Sequence, residues 1–386
     1  MSAAEPGLLV WLGTALAALA TGYALTACVS MLARRARRPT GTKPLPPVTV
    51  LKPLCGAEPE LYSCLRSFCE QDYRSASGAG AVQLVCGVRD AADPAVSIVR
   101  RLQRELPGLD LQLAVDPTQH GSSAKVSNLI NMMPLARHDY LVIADSDVCV
   151  PPDYLARVIE PLLDPAVGIV TCPYRGRPRA GLWSLLGALF INDWFMPSVQ
   201  VAALFGSRAF AFGASIALRR DTLSSIGGFA AIANQLADDY RLGELTRRRG
   251  LTTVLSDVIV ETWVDEGSLA ELVRHELRWL RTILIVRPLG YSLSFITFSL
   301  PLAVLGALLA RGARTALVLL GITLTARVVI HGAARRPHAP LAQIGAAPLS
   351  DALAFALWCW GFVARRVQWR DARYRVARDG SVHPLP

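Results

Sequence analysis

Two carboxylates, Asp145 and Asp147, close an apolar run in LVIADSDVCVPP, with only Ser146 between them. Carboxylates serve a buried strand poorly, so their position at its end calls for a partner. Either strand or turn geometry brings both near one hard cation. Mg2+ or Mn2+ bound by one or two carboxylates takes its other ligands from water and substrate phosphates. A plain turn is the competing reading, because Asp favours turns and Pro151 and Pro152 follow. Asp90 stands in GVRDAAD, and Asp238 and Asp239 stand together in QLADDYRLG, where a helical pattern opens. The second pair also suits a helix N-terminus, whose dipole favours negative charge. HELRW, residues 275–279, then lies on an amphipathic stretch just before an apolar region. Arg278 there could clamp a phosphate, or snorkel beside an interfacial Trp279.

These residues need a scaffold. From Pro46 to about Arg281, short runs such as VTVLKPL, VQLVCGV, LQLAVD, YLVIADSD and GIVTCPY alternate with amphipathic stretches such as 61–71 and 93–106. That alternation predicts an α/β domain with a mostly parallel sheet and crossover helices. Such sheets bind ligands beyond the C-terminal ends of their strands. Lys52, Asp90, Asp116 and Asp145 all fall at predicted strand ends.

The chain is 386 residues long, 52% hydrophobic, and carries a formal net charge of +10. With a mean hydropathy of +0.35, this composition points to the membrane, and the basic excess suits cytoplasmic loops and anionic headgroups. Nucleic-acid binding is set aside, since aromatics are sparse and no basic helix or RNP-like stretch is present. The eight cysteines are scattered without a CxxC pair. That reads as reduced thiols, with neither a disulfide frame nor a zinc site.

Residues 1–33 read as an N-terminal transmembrane anchor and 34–46 as a basic juxtamembrane linker. The charge follows the apolar run, which argues for a retained anchor with its N-terminus outside over a cleaved signal peptide. The domain of 47–282 follows, then C-terminal membrane segments within 283–364, at 291–310, 313–330 and 349–364, and a basic tail at 365–386. Four full crossings would put that tail outside, so one C-terminal segment is expected to be re-entrant or interfacial; Arg327 makes the second the suspect. Residues 195–218 are apolar too, but a span there would separate Asp145 from Asp238, so they are assigned to the α/β domain at the membrane surface.

Asp90, Asp145-Ser-Asp147, Asp239 in ADDY and HELRW, in that order, resemble the motif set of inverting family-2-like glycosyltransferases. More closely they resemble ceramide glucosyltransferase and its bacterial relatives. VLKPLCGAEPELYSCLRSFCEQDY, HGSSAKVSNLINMMPLARHDYLVIADSD and ELRWLRTI are similar to the subgroup associated with hopanoid biosynthesis. The resemblance runs from about Val48 to Trp369. It implies a GT-A fold, a UDP-sugar donor, a divalent metal (Mg2+ or Mn2+), a lipid acceptor, and a multi-pass protein of the bacterial inner membrane with its site facing the cytoplasm. By resemblance, Asp90 contacts the uridine end. Asp145 lies near the sugar or ribose, and Asp147, with Asp145, binds metal and diphosphate. Asp239 is the general base beside Asp238, while Arg278 and Trp279 hold the diphosphate and close the acceptor site. Lys52 and Lys125 line the nucleotide pocket. His275 stands where the motif has Gln or Arg, though histidine still donates to a phosphate oxygen. The hopanoid likeness favours N-acetylglucosamine transferred to a hopanoid polyol such as bacteriohopanetetrol; the ceramide likeness favours glucose on ceramide.

Three rival classes remain. A haloacid-dehalogenase-like phosphatase also places DxD after a strand, but its nucleophile motif opens the domain and Cys149 stands where Thr or Val is expected. A processive polysaccharide synthase shares the motifs but needs a membrane channel, for which the C-terminal segments are few. A non-catalytic scaffold needs no ordered acidic set.

Overall fold

The computed structural model describes residues 7–33, 44–74, 81–334 and 341–363, and three short strands after them, 367–369, 372–376 and 382–384. Most of the basic linker expected at 34–46 lies outside the described residues. The chain divides into two compact units: Arg35–Tyr174 with Ser207–Trp263 and Tyr374–Pro386, and Met1–Arg34 with Arg175–Gly206 and Val264–Arg373.

The first unit is built on β1 (Val48–Pro53), β2 (Val82–Val88), β3 (Asp110–Val115), β4 (Tyr140–Ala144), β5 (Val148–Cys149) and β6 (Val167–Thr171), followed by β7 (Tyr174–Pro178), which leads out of it, and then β8 (Ser215–Arg219), β9 (Thr252–Leu255) and β10 (Val260–Val264). Seven of them form one sheet in the order β3-β2-β1-β4-β8-β6-β9. β3, β2, β1 and β4 are parallel, β8 runs antiparallel to β4 and β6, and β9 is parallel to β6. The α/β expectation therefore holds, with one reversed strand inserted. After α1 (Leu8–Leu32), which belongs to the second unit, the connections carry α2 (Leu61–Cys69), α3 (Ala95–Glu105), α4 (Ala124–Met132) and α5 (Tyr154–Ile159). Their apolar faces explain the packing: Val126, Leu129 and Met132 of α4 bury against Leu51, Val85, Leu141 and Ile143 of the sheet. Gly87 is glycine for a reason of space, since a Cβ there would lie 2.2 Å from Asn128 Oδ1. Asn128 Nδ2 donates to Gly87 O at 2.8 Å, tying α4 to the end of β2.

One cysteine expectation is corrected. Cys64 of α2 and Cys149 of β5 are joined as a disulfide, with Cα atoms 4.4 Å apart and a sequence separation of 85. Nothing in their spacing announces the pairing; it follows from α2 packing beside the turn that ends β4.

The second unit holds α1, α6 (Gly181–Leu189) and α7 (Met196–Leu204), joined by a π-helical turn, Phe190–Phe195. Past α8 (Arg220–Ser225) and α9 (Asp238–Arg248) of the sheet unit, it continues with α10 (Leu269–Val286), α11 (Pro288–Leu293), α12 (Ser299–Leu309), α13 (Arg314–Ala334) and α14 (Ala347–Gly361). Residues 195–206, expected in the α/β domain, thus cluster with the apolar helices; the sheet unit resumes at Ser207. Among the described residues, three helices are long and apolar enough to cross a membrane, at Leu8–Leu32, Arg314–Ala334 and Gln343–Gly361. Pro288–Thr297 with Ser299–Leu309 is bent by 67°.

Small residues set the packing of these helices, as lipid-embedded helices require. Gly13 sits against Gly306 O and Ala310 N, closely enough that a Cβ on it would come within 2.4 Å of backbone, and Gly306 returns the contact to Gly13 O and Ala17 N. Ala20 packs on Leu302 and Ala303. Contact thus runs backward along α12 as α1 advances, so the two are antiparallel. The chain reverses at Arg311 and Gly312, both with positive φ, and α13 returns parallel to α1, its Thr323 hydroxyl 2.9 Å from that of Thr21. Arg327 is accommodated within α13 without a break. α13 is continuous through it because Asp351 of α14 neutralises the guanidinium through two hydrogen bonds, and the bend falls in the preceding segment, at Phe298.

Candidate active site

The acidic turn is built first from the backbone. β4 delivers Asp145 at its C-terminal end, and Asp145 N donates to Ala214 O at 3.3 Å, in the approach to β8. Lys52, at the end of β1, is fully buried. Its ammonium donates to Asp145 O at 2.5 Å and Val148 O at 3.3 Å and lies 4.3 Å from the Phe68 ring centroid. Burial pushes Lys52 down to about 8, against the pull of the Asp147 carboxylate. Lys52 thus braces the main chain of the turn, and any influence on a bound nucleotide passes through that turn.

The side chains of the turn point three ways. Asp145 Oδ1 pairs with Lys125 Nζ at 2.5 Å. Asp147 Oδ2 accepts from the Thr262 hydroxyl of β10. Ser146 Oγ donates to Glu58 Oε1 at 3.1 Å. Burial, then the Asp145 charge, raises Asp147 above the usual carboxylate range, and burial, then Asp147, raises Glu58 to about 7. Three neighbouring acids, two of them raised, form a site short of positive charge. Among the described residues no three His, Cys, Asp or Glu side chains converge to hold a metal by themselves. One or two carboxylates suffice for Mg2+ or Mn2+ when phosphates complete the shell, so this donor set fits such an ion.

The second carboxylate pair lies within reach of the first. Lys125, second residue of α4, lies 4.0 Å from Asp238 Oδ2. Burial alone would lower this lysine, but Asp145 and Asp238 outweigh it and hold the ammonium above its usual range. α4 is aimed by its cap: Ser123 Oγ accepts from Val126 N at 3.3 Å. Asp239 is the second residue of α9, and its Oδ1 accepts from Tyr240 N at 2.7 Å. Gly213 is the close neighbour that a side chain would spoil, since a Cβ there would stand 3.0 Å from Asp239 Oδ2. Burial, then Asp238, raises Asp239 to about 7, opposed by Lys125 and by backbone N–H groups of Tyr240 and Gly213. A carboxylate balanced there can both hold and release a proton near neutrality.

The structure therefore gathers Lys52, Lys125, Asp145, Asp147, Asp238 and Asp239 in one unit. Asp90 follows β2 and is exposed, its Oδ1 accepting from Ala92 N at 2.9 Å in a local turn. His275, Arg278 and Trp279 stand on α10, in the unit of apolar helices. That helix starts on Ser268, whose side chain accepts from Glu271 N at 3.2 Å, while Glu271 reaches back to Gly267 N at 2.7 Å. His275 Nδ1 lies 2.6 Å from Glu266 Oε1, so its other ring nitrogen is the one left to meet a ligand. Trp279 meets Phe195 edge-on at 5.6 Å.

Sequence reading missed Glu58, Thr262 and the role of Gly213. Glu58 had a signal, since it sits in the Gly/Pro-rich loop after β1, where the strand-end rule already looked. Thr262 had none, because only the pairing of β10 with β5 (Thr262↔Val148) brings it to the turn.

A mixed sheet of this order with an acidic turn at the mouth of β4 is a GT-A-like fold. The mannosyltransferase PcManGT from Pyrobaculum calidifontis, solved in complex with GDP-Man and Mn2+, shares the fold at a TM-score of 0.53 and 22% identity, over 92% of this chain and 98% of that one. The profile of glycosyl transferase family 21 matches residues 12–382; the chain belongs to that family. Ceramide glucosyltransferase 1 of Caenorhabditis elegans is 24% identical over 55% of this chain and 44% of its own length. An N-acetylglucosaminyltransferase of Rhizobium leguminosarum bv. viciae is 23% identical over 62% of this chain and 56% of its own. The chain thus spans about half the length of these relatives.

Proposed function

We propose that this glycosyltransferase transfers a hexose from a UDP-sugar to the hydroxyl of a membrane lipid alcohol, with inversion, in one displacement. The observation that carries it is Lys125, a single ammonium within 2.5 Å of the acidic turn and 4.0 Å of Asp238, beside an Asp239 held at about 7. Asp239 takes the acceptor proton as the lipid oxygen bonds the anomeric carbon and the bond to UDP breaks. Asp147 and Asp145 would hold Mg2+ or Mn2+, which would offset charge on the diphosphate. Asp90 faces the uridine end. Arg278, with His275, neutralises the leaving diphosphate, and Trp279 bounds the acceptor. Lys125 fixes the orientation of Asp145.

The helix directions support a topology. With the N-terminus outside, α1 enters, the bent pair of α11 and α12 returns and α13 re-enters, so Arg335 and Arg336, which follow α13, and the basic tail both lie in the cytoplasm if α14 is interfacial. The segment to be excluded from crossing is then α14, and the bacterial inner membrane is the setting. Two pairings fit: N-acetylglucosamine on a hopanoid polyol, supported by the motif likeness, and glucose on ceramide, supported by the names of ceramide glucosyltransferases among the relatives. Purified protein, a membrane-lipid extract and radiolabelled UDP-N-acetylglucosamine or UDP-glucose decide between them, with mass spectrometry of the product. Labelled lipid that vanishes in chelator and returns with Mg2+ or Mn2+ is expected. A water-soluble polymer, or full activity in chelator, overturns the acceptor class or the metal respectively.

A further inference from the structure

The apolar unit holds a second buried network of ionisable groups that the transfer step does not use. Its seat is the π-helical turn Phe190–Phe195, a widening of the kind that recurs at functional sites. Arg327 Nη1 donates to Asp193 O at 2.5 Å, and the rest of that guanidinium is spent on Asp351. This half of the network is closed. The other half is not. Asp193 Oδ2 meets His331 Nδ1 at 2.8 Å, and both residues are only 3% exposed. Asp193 Oδ1 and His331 Nε2 are buried with no hydrogen-bond partner among the described residues.

The chemistry of the two open atoms is specific. A carboxylate oxygen only accepts. With Nδ1 turned to Asp193, Nε2 is the ring nitrogen left to meet a ligand. The open carboxylate oxygen calls for a hydrogen, and a hydroxyl, which both donates and accepts, can meet it and the ring nitrogen, since buried polar groups are rarely left unpaired. Ionisable residues among membrane helices mark sites for polar cargo by default. More hydroxyls stand close by on α7 and α1: Ser198 donates to Trp194 O at 2.7 Å and meets Tyr23 OH at 3.0 Å. The network sits in the C-terminal third of α13, which the proposed topology puts at the cytoplasmic side, where a lipid headgroup resides.

We propose that Asp193 and His331 form a recognition site for the hydroxyl-bearing headgroup of a lipid alcohol. It rests on the proposed function in taking that alcohol to be the acceptor.

The full chain in detergent is heated with hexadecane-1,2-diol or with its dimethyl ether, which has the same tail and no donors. The diol should raise the unfolding temperature and the ether should not, and Asp193→Asn or His331→Gln should weaken diol binding roughly tenfold. Because these variants can misfold, a diazirine-bearing diol is also cross-linked to the wild-type chain, and label should fall within 190–198 and 327–334. Equal shifts with diol and ether, or label elsewhere, overturns the site and leaves the network a helix brace. Transfer to lipid extract is measured in parallel. Transfer with label elsewhere sinks this inference alone, whereas label at the site without transfer to any lipid upholds the site and sinks the proposed reaction.

Discussion

Lys125 in the sheet unit and Arg327 among the apolar helices are both largely buried cations placed between aspartates, and they behave differently. Lys125 makes one short contact, to Asp145, and a looser one to Asp238. Asp145 keeps 36% of its side chain exposed, so its carboxylate stays open to a ligand. Arg327 takes Asp351 in a two-pronged grip that leaves that carboxylate only 11% exposed. The ammonium is a point charge that can yield to a competitor, whereas the planar guanidinium fixes geometry. A reorganisable cation suits a donor site that fills and empties; a rigid one suits an internal brace.

The comparison can be broken at several points. The largest effect belongs to Asp239→Asn, which should lower transfer by about a thousandfold while isothermal titration still registers UDP-sugar binding; retained turnover would remove Asp239 as the base. Lys125→Met should come next, with transfer down roughly a hundredfold, since it leaves Asp145 and Asp238 without their shared cation. It should also move the acidic limb of the pH–rate profile upward, because the charge holding Asp239 down is gone. Gly306→Leu should cost about 1–3 kcal/mol through overpacking, seen as a lower melting temperature in detergent, as its new atoms meet Gly13 O and Ala17 N. The smallest change is Asp238→Asn. Asp239 must be ionised to accept a proton, so wild-type activity should rise as pH passes about 7. Removing the neighbouring negative charge should shift that rise to lower pH, and an unmoved limb would uncouple the two aspartates.

Much of the candidate site was legible as residues because its parts obey local rules. Asp145, Asp90 and Lys52 follow predicted strands, and Asp239 opens a predicted helix, so residue type and strand end together pointed to them. Glu58 and Gly213 were visible as residues but not as partners, because their contacts depend on loops folding over the strand ends. Cys64 and Cys149 were misjudged because local spacing carries no information on an 85-residue closure. Arg327 was suspected of breaking a span since its neutralising partner, Asp351, lies on a different helix.

The sequence by itself determined the α/β alternation, the apolar ends and the order of the acidic motifs, since hydrophobic period and residue chemistry act over a few neighbours. Only the tertiary structure decided that β8 runs against its neighbours, that 175–206 joins the apolar helices, that α13 lies parallel to α1, and that Lys125 links two acid pairs far apart in the chain. Those outcomes depend on which surfaces bury against each other, a property of the whole packed chain that no single window of residues contains.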